Sequence, residues 1–306
     1  MPRARLALAL IVLPLASLMH GAWDTPSWGR PVLEVFRQQQ TGNSSPVYCA
    51  AKQPGDGPLW FGTAGGLLSF DGHAWRNFPE AKIVISCAFN PDGRRLWYGG
   101  WGDLGWFDLS ADGQPQRTSL VDKLPFAASE IRAIRACCPT RDGAFFVADD
   151  RLLRWDGTKF EVSMYPTSHR LFAIPFEGRL WFHHLESGLY RLGDDGPERV
   201  AGPEMLSEFA LFWLGRENGE LIGASNRGFW TIAREPRCLS PADLNSWLTQ
   251  HKMVAASDLG NGFRAVITLT GGGAIVDRHN QIVRRIDDSD GLHGTLMGQF
   301  LGPEHD

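Results

Sequence analysis

The side chains best suited to chemistry come in short, widely separated groups: Trp101 with Asp103, Asp149-Asp150-Arg151, His184 with Glu186, and Asn226-Arg227. Carboxylates, an imidazole and guanidiniums can act as acid, base or electrostatic clamp. None of them stands in a local catalytic spacing, however: the chain has no nucleophile elbow, phosphate loop, Cys/His motif or zinc signature. His183-His184 with Glu186 offers metal-ligand types, but consecutive residues of a strand point to opposite faces and do not readily share an ion. Asp287-Asp288-Ser289-Asp290-Gly291 lacks the acid spacing and distal Glu of a calcium loop and reads as a turn. No metal, no cofactor and no catalytic residue is therefore assigned, and any site must be assembled by the fold from distant segments.

The elements that could assemble it recur. A phrase of a small or turn residue, apolar residues and a large apolar anchor appears six times: Gly66-Leu67-Leu68-Ser69-Phe70, Asp103-Leu104-Gly105-Trp106-Phe107, Arg151-Leu152-Leu153-Arg154-Trp155, Gly188-Leu189-Tyr190-Arg191-Leu192, Gly228-Phe229-Trp230-Thr231-Ile232 and Gly272-Gly273-Ala274-Ile275-Val276. The anchors lie 37, 48, 37, 40 and 44 residues apart, a mean period of about 41 that falls in the range of propeller blades. Before most copies stands a short apolar run bounded by turn residues, such as Leu59-Trp60-Phe61-Gly62-Thr63 or Leu180-Trp181-Phe182-His183-His184. Such runs fit strands buried on both faces. A further strand precedes (Val47 to Ala50, Ile83 to Cys87, Ile131 to Ile134) and another follows (Ala74 to Phe78, Lys159 to Val162). Four antiparallel strands per period make one blade. The expected fold is all-β: a β-propeller of four-stranded antiparallel blades, six full blades plus an incomplete seventh built from Val32 to Phe36 and Leu296 to Leu301.

Residues 59–72, Leu-Trp-Phe-Gly-Thr-x-x-Gly-Leu-x-x-Phe-Asp-Gly, resemble the two-component regulator propeller repeat of extracytoplasmic sensor regions in bacterial signalling proteins. Leu180-Trp181-Phe182 with Gly188 to Leu192 is the next nearest copy, and Asp290-Gly291-Leu292 is similar to that family's lead-in between blades. The resemblance spans roughly residues 31–306; the fifth and sixth copies lose Trp from the second strand. It implies ligand sensing coupled to an output module outside this chain, with a signalling partner or a second copy beside it. It transfers no catalytic residue, since the motif is scaffold.

Residues 1–22 read as a secretory signal: Arg3 and Arg5, an apolar stretch from Leu6 to Met19, then Gly21-Ala22. Residues 31–306 then form the sensor propeller, expected in the periplasm, either truncated at its C-terminal end or a six-bladed ring with spare ends, and attached to a membrane only through a span outside this chain. Without the signal, 28 basic groups face 34 acidic ones, a net charge of −6 with no Lys/Arg run. That gives no electrostatic reason for nucleic-acid or anionic-membrane binding. Cys49, Cys87 and Cys137 fall at similar places on successive first strands, where Cα separations are expected to exceed the disulfide limit of about 7 Å. All five cysteines are expected reduced and packed. Ser240-Pro241-Ala242-Asp243, followed by Leu244, Trp247 and Leu248, predicts a short helix capped by Ser240 that covers a blade edge.

In a propeller, the loops between second and third strands emerge on one face with the loops between blades. Trp101, Asp103, Asp149, Asp150, Arg151, His184, Glu186, Asn226 and Arg227 all fall on or beside those loops, so they form the candidate site at the channel mouth, for a small-molecule or glycan ligand. An alternative is a lyase or glycan-active enzyme using Asp103, Asp150, His184 and Arg227; similar repeats occur in antibiotic-opening lyases. Another is a protein-interaction platform. Fold alone does not choose among them.

Overall fold

A computed structural model describes residues 36, 38–43, 46–109, 115–164, 172–177, 179–193, 196–206 and 210–290. Six antiparallel sheets follow one another along the chain, each a meander with strands in sequence order. Blade 1 comprises Val47–Lys52, Leu59–Thr63, Gly66–Phe70 and Trp75–Phe78. Blade 2 comprises Val84–Phe89, Arg95–Gly100, Leu104–Leu109 and Pro115–Ser119. Blade 3 comprises Ile134–Pro139, Ala144–Ala148, Arg151–Trp155 and Phe160–Met164. Blade 4 comprises Phe172–Phe176, Arg179–His184, Gly188–Gly193 and Gly196–Ala201. Blade 5 holds Trp213–Glu217, Glu220–Ser225 and Gly228–Thr231, and blade 6 Met253–Gly260, Phe263–Thr268, Gly273–Val276 and Ile282–Ile286. The first strands of all six blades line one central cavity, the radial arrangement of a propeller.

The second strands explain the unbroken apolar runs. Alternate residues of each run face the preceding and the following blade, so both faces are dry. Leu96 and Tyr98 join the core between blades 1 and 2, whereas Trp97 joins that between blades 2 and 3. Leu180 and Phe182 likewise pack toward blade 3, and Trp181 toward blade 5. Trp97 and Trp181 are almost fully buried; each removes about 150–250 Å² from water, worth about 4–6 kcal/mol of transfer free energy.

The Gly that opens the recurring phrase has a backbone reason. Gly66, Gly188 and Gly228 have φ of 113°, 111° and 110°, a region that side chains rarely adopt. A Cβ on Gly188 would also lie 2.1 Å from the carbonyl oxygen of Ala201 in the fourth strand. The third strand must start there to pair with both neighbours, so Gly is required where the chain turns this tightly.

Three expectations need correction. The first strand of blade 3 starts at Ile134, not Ile131; the Ile131 N–H is taken by Ala128 in a preceding helical turn, and its side chain fills the core between blades 2 and 3. Blade 5 has three strands: its fourth is reduced to a bridge between Cys238 and Trp230, with Pro236 and Pro241 on either side withholding the N–H groups a longer ladder would need. Ser240 does not cap the helix Ala242–His251; its hydroxyl accepts the Phe229 N–H, and Pro241 stands at the cap. The helix does cover a blade edge, since Leu244, Trp247 and Leu248 pack among Phe229 of blade 5 and Val266 and Val276 of blade 6. The segments expected to build a seventh blade lie outside the described residues, except Phe36. That residue is not in a strand, and its ring packs against Phe70 and Trp75, each at 5.0 Å. The expected signal segment also lies outside the described residues.

Candidate functional site

A cavity of about 910 Å³ runs along the propeller axis. Its wall comes from the first strand of every blade: Cys49, Cys87, Cys137, Phe172 with Ile174, Trp213 with Leu214, and Ala255 with Ala256 are representative. Arg135, Glu177, Arg179 and Asp258 add charge. Arg135 stands at the start of its strand, near the face carrying the loops between blades, while Glu177, Arg179 and Asp258 stand near the opposite face. An apolar and thiol-lined middle thus lies between charged ends. Arg135 donates to Asp149 at 2.8 Å, Arg216 to Glu177 at 2.6 Å, and Arg264 lies 3.8 Å from Asp258. A cavity of this size, with few polar groups on a rigid wall, suits a small ligand.

None of the nine residues expected at the channel mouth lines this cavity. The structure engages most of them within their own blades. Asp103 receives two hydrogen bonds from Arg117, at 2.8 and 2.7 Å, and one from the Tyr98 hydroxyl at 3.2 Å. Burial, reinforced by the Asp103 carboxylate, pushes the Tyr98 phenol well above its ordinary range, so it remains a neutral donor. Asp150 is gripped by Arg151 at 2.9 and 2.7 Å, which lowers the carboxyl and raises the guanidinium; Arg151 also stacks over Phe126 at 4.7 Å. Asp149 is the member closest to the cavity by connection, through Arg135. Trp101 is 60% exposed and bridges Ala133. Arg227 lines a shallow recess beside the helix with Trp230 and Asn245, and the Asn226 carbonyl accepts the Thr249 hydroxyl at 3.0 Å. Glu186 sits in the turn after His184.

His184 has a structural role that the repeat explains. The last residue of the second strand is Thr63 in blade 1, Ser225 in blade 5 and Thr268 in blade 6; each hydroxyl donates to the carbonyl of the Gly that opens the recurring phrase and accepts an N–H from the turn. His184 takes that place in blade 4. It is buried, and its Nδ1 accepts the Ser187 N–H at 3.2 Å and lies 2.8 Å from the Ser187 hydroxyl. The imidazole thus closes a turn.

His183 points toward blade 5, where the corresponding residues of blades 1 and 2 are Gly62 and Gly99. It is fully buried, and its Nδ1 accepts the Leu211 N–H at 3.1 Å, tying two blades together. The proton of the neutral ring is then on Nε2, which has no protein partner. Burial, aided by His184, lowers its pKa to about 4.

The thiols were expected to be out of mutual reach, and that is not so. All five cysteines are free, but Cys49 Sγ and Cys87 Sγ approach to 3.4 Å across the junction of blades 1 and 2. In register, Cys49 opposite Gly62 corresponds to Ser86 opposite Gly99, not to Cys87. The same diagonal contact recurs one blade on, where the Ser86 hydroxyl lies 3.2 Å from Cys137 Sγ. Nor are the thiols uniformly packed, since Cys238 is exposed.

No family model matches the chain, and no curated protein matches it in sequence. Solved structures share its fold. The extracellular domain of BT4673 from B. thetaiotaomicron, described in one structure as a one-component system, superposes with a TM-score of 0.60 at 16% identity over 83% of this chain. A second structure, described as a hybrid two-component system, gives 0.59 at 14% identity. This chain spans 35% of that neighbour's length. The WD40 propeller domain of Doa1 superposes at 0.57 with 11% identity, over 79% of this chain and 82% of the other. Among the described residues no helix is long and apolar enough to cross a membrane. The structural likeness is one of fold: a six-bladed propeller, of a kind also used as an extracellular domain of signalling systems.

Proposed function

We propose that this propeller is the ligand-sensing module of an extracytoplasmic bacterial signalling protein, with its membrane span and output domain on other segments. The axial cavity of about 910 Å³, walled by all six blades, carries the reading. A small molecule or glycan bound there touches every first strand at once, so its binding energy can bias how neighbouring blades pack; a signal follows if two packings differ in affinity for it. The signal-like residues 1–22 and the extracellular neighbour support an exported location. Among the described residues, the large apolar side chains that stay exposed support coupling at one face. Val47 and Tyr48 open a first strand, Trp101 and Leu269 follow second strands, and Met164 and Val200 close fourth strands; all six positions fall on the face that carries the loops between blades. An output partner docking there completes the proposed path.

Thermal-shift titration against small molecules and glycans tests it. A ligand at 100 times its Kd should raise Tm by about 5–10 °C. Ala88→Trp and Ala255→Trp, which fill the cavity from two blades, should abolish the shift. A ligand that binds both variants as it binds the parent, or a panel in which nothing moves Tm, goes against the reading. Trp101→Asp with Met164→Asp should leave the shift intact while uncoupling signalling in cells.

A further inference from the structure

We propose that Cys49 and Cys87 are a dithiol–disulfide pair that staples the first strand of blade 1 to the first strand of blade 2. Their sulfurs are in van der Waals contact at 3.4 Å, between strands that lie side by side, and both line the axial cavity. A bond requires an approach to about 2.05 Å. The two side chains would share a movement of roughly 1.4 Å. No other thiols are so placed. Cys137 is engaged by Ser86, Cys138 is its chain neighbour on the same strand, and Cys238 lies on blade 5, where its sulfur accepts a hydrogen bond from Asn245.

Access sets the order of events. Both line the cavity, but Cys87 is partly exposed there whereas Cys49 is buried. The oxidant is a low-molecular-weight disulfide that enters the cavity. The Cys87 thiolate attacks one of its sulfurs, forming a mixed disulfide and expelling one small thiolate. The Cys49 thiolate then attacks Cys87 Sγ, forming the protein disulfide and expelling the second. The protein loses two protons and two electrons; the small disulfide gains both and leaves as two thiols. The hydrogen bond with Cys49, together with burial, pushes the Cys87 thiol well up, so exchange is slow near neutral pH and faster as pH rises. The pair is independent of whichever ligand the cavity holds.

The test incubates the intact, reduced chain with cystine at pH 8.5, blocks free thiols with iodoacetamide and maps peptides by mass spectrometry. The expected result is one cross-linked peptide joining Cys49 to Cys87, with Cys137, Cys138 and Cys238 alkylated. Closing a loop of 38 residues should raise Tm by roughly 5–10 °C, reversibly with dithiothreitol. Cys49→Ser and Cys87→Ala should each remove the cross-link and the shift, and Cys137→Ser should keep both. A cross-link through any other cysteine, all five thiols still alkylated, or a mixed disulfide at Cys87 that Cys49 never resolves would overturn the proposal.

Discussion

Acidification should loosen the junction between blades 4 and 5 through one side chain, His183. The folded protein holds this imidazole neutral because it is fully buried and its Nδ1 must accept the Leu211 N–H. A proton added at Nδ1 would break that bond and leave a charge in an apolar junction lined by residues such as Phe172 and Phe212. Its pKa falls from the ordinary 6.5 to about 4. Between those values the unfolded chain binds a proton that the folded one refuses, so unfolding becomes easier as pH falls. The contribution is fully present above about pH 6.5, shrinks on the way down to about pH 4, and stays lost below that. At about 1.4 kcal/mol for each pH unit, the total is about 3 kcal/mol.

Urea unfolding at a series of pH values between 7.5 and 4, on the wild type and on His183→Asn, isolates this term. The Asn carboxamide oxygen stands at the δ position, can accept the Leu211 N–H as Nδ1 does, and does not titrate, so carboxylates that also protonate in this range cancel in the difference. The stability advantage of the wild type over the variant should shrink by about 3 kcal/mol by pH 4. A difference that stays constant across the series would refute the reasoning. So would an imidazole that titrates near 6.5 in the folded protein, followed through its ring proton resonances.

Two other substitutions test the scaffold. Gly188→Ala places a Cβ 2.1 Å from the Ala201 carbonyl at a φ of 111° and should cost roughly 3 kcal/mol, seen as a lower urea midpoint with unchanged slope. Asp103→Ala strips Arg117 of a two-pronged partner while both side chains are at most about a quarter exposed; the expected loss is about 2 kcal/mol, and Asp103→Asn should recover part of it, read by the same midpoints.

The blade pattern was legible because its physical causes are local. An apolar run in the second strand means burial on both faces, as Trp97 and Tyr98 show on opposite sides of one strand. Gly before the third strand means a left-handed φ, as at Gly66. The fourth strand of blade 5 was not legible, because its loss depends on two prolines and a helix that replaces its packing, and only the tertiary context shows that exchange. The thiol contact was legible in principle. Gly62 and Gly99 are 37 residues apart, like the anchors Phe70 and Phe107, whereas Cys49 and Cys87 are 38 apart. That one-residue mismatch moves Cys87 out of register with Cys49 and into its reach, since each first strand lies diagonally beside the next.

The residues expected at the channel mouth show how a repeat can mark scaffold and site alike. Polar residues at the turns between second and third strands stand out in a sequence because they interrupt apolar runs, and those turns share one face. Yet turns also have backbone groups to satisfy, and at His184 the side chain does the work that Thr63, Ser225 and Thr268 do elsewhere. Asp103 and Asp150 are likewise spent on Arg117 and Arg151. The first strands carry no such signature: Ala88, Ala255 and the thiols look like ordinary core residues, and nothing local says which side of each faces the axis. Their small size is what leaves the axis open. Small side chains from blades 1, 2, 3 and 6 face larger ones such as Phe172 and Trp213 from blades 4 and 5 across the axis, so in the proposed reading a ligand would touch all six blades through their innermost strands.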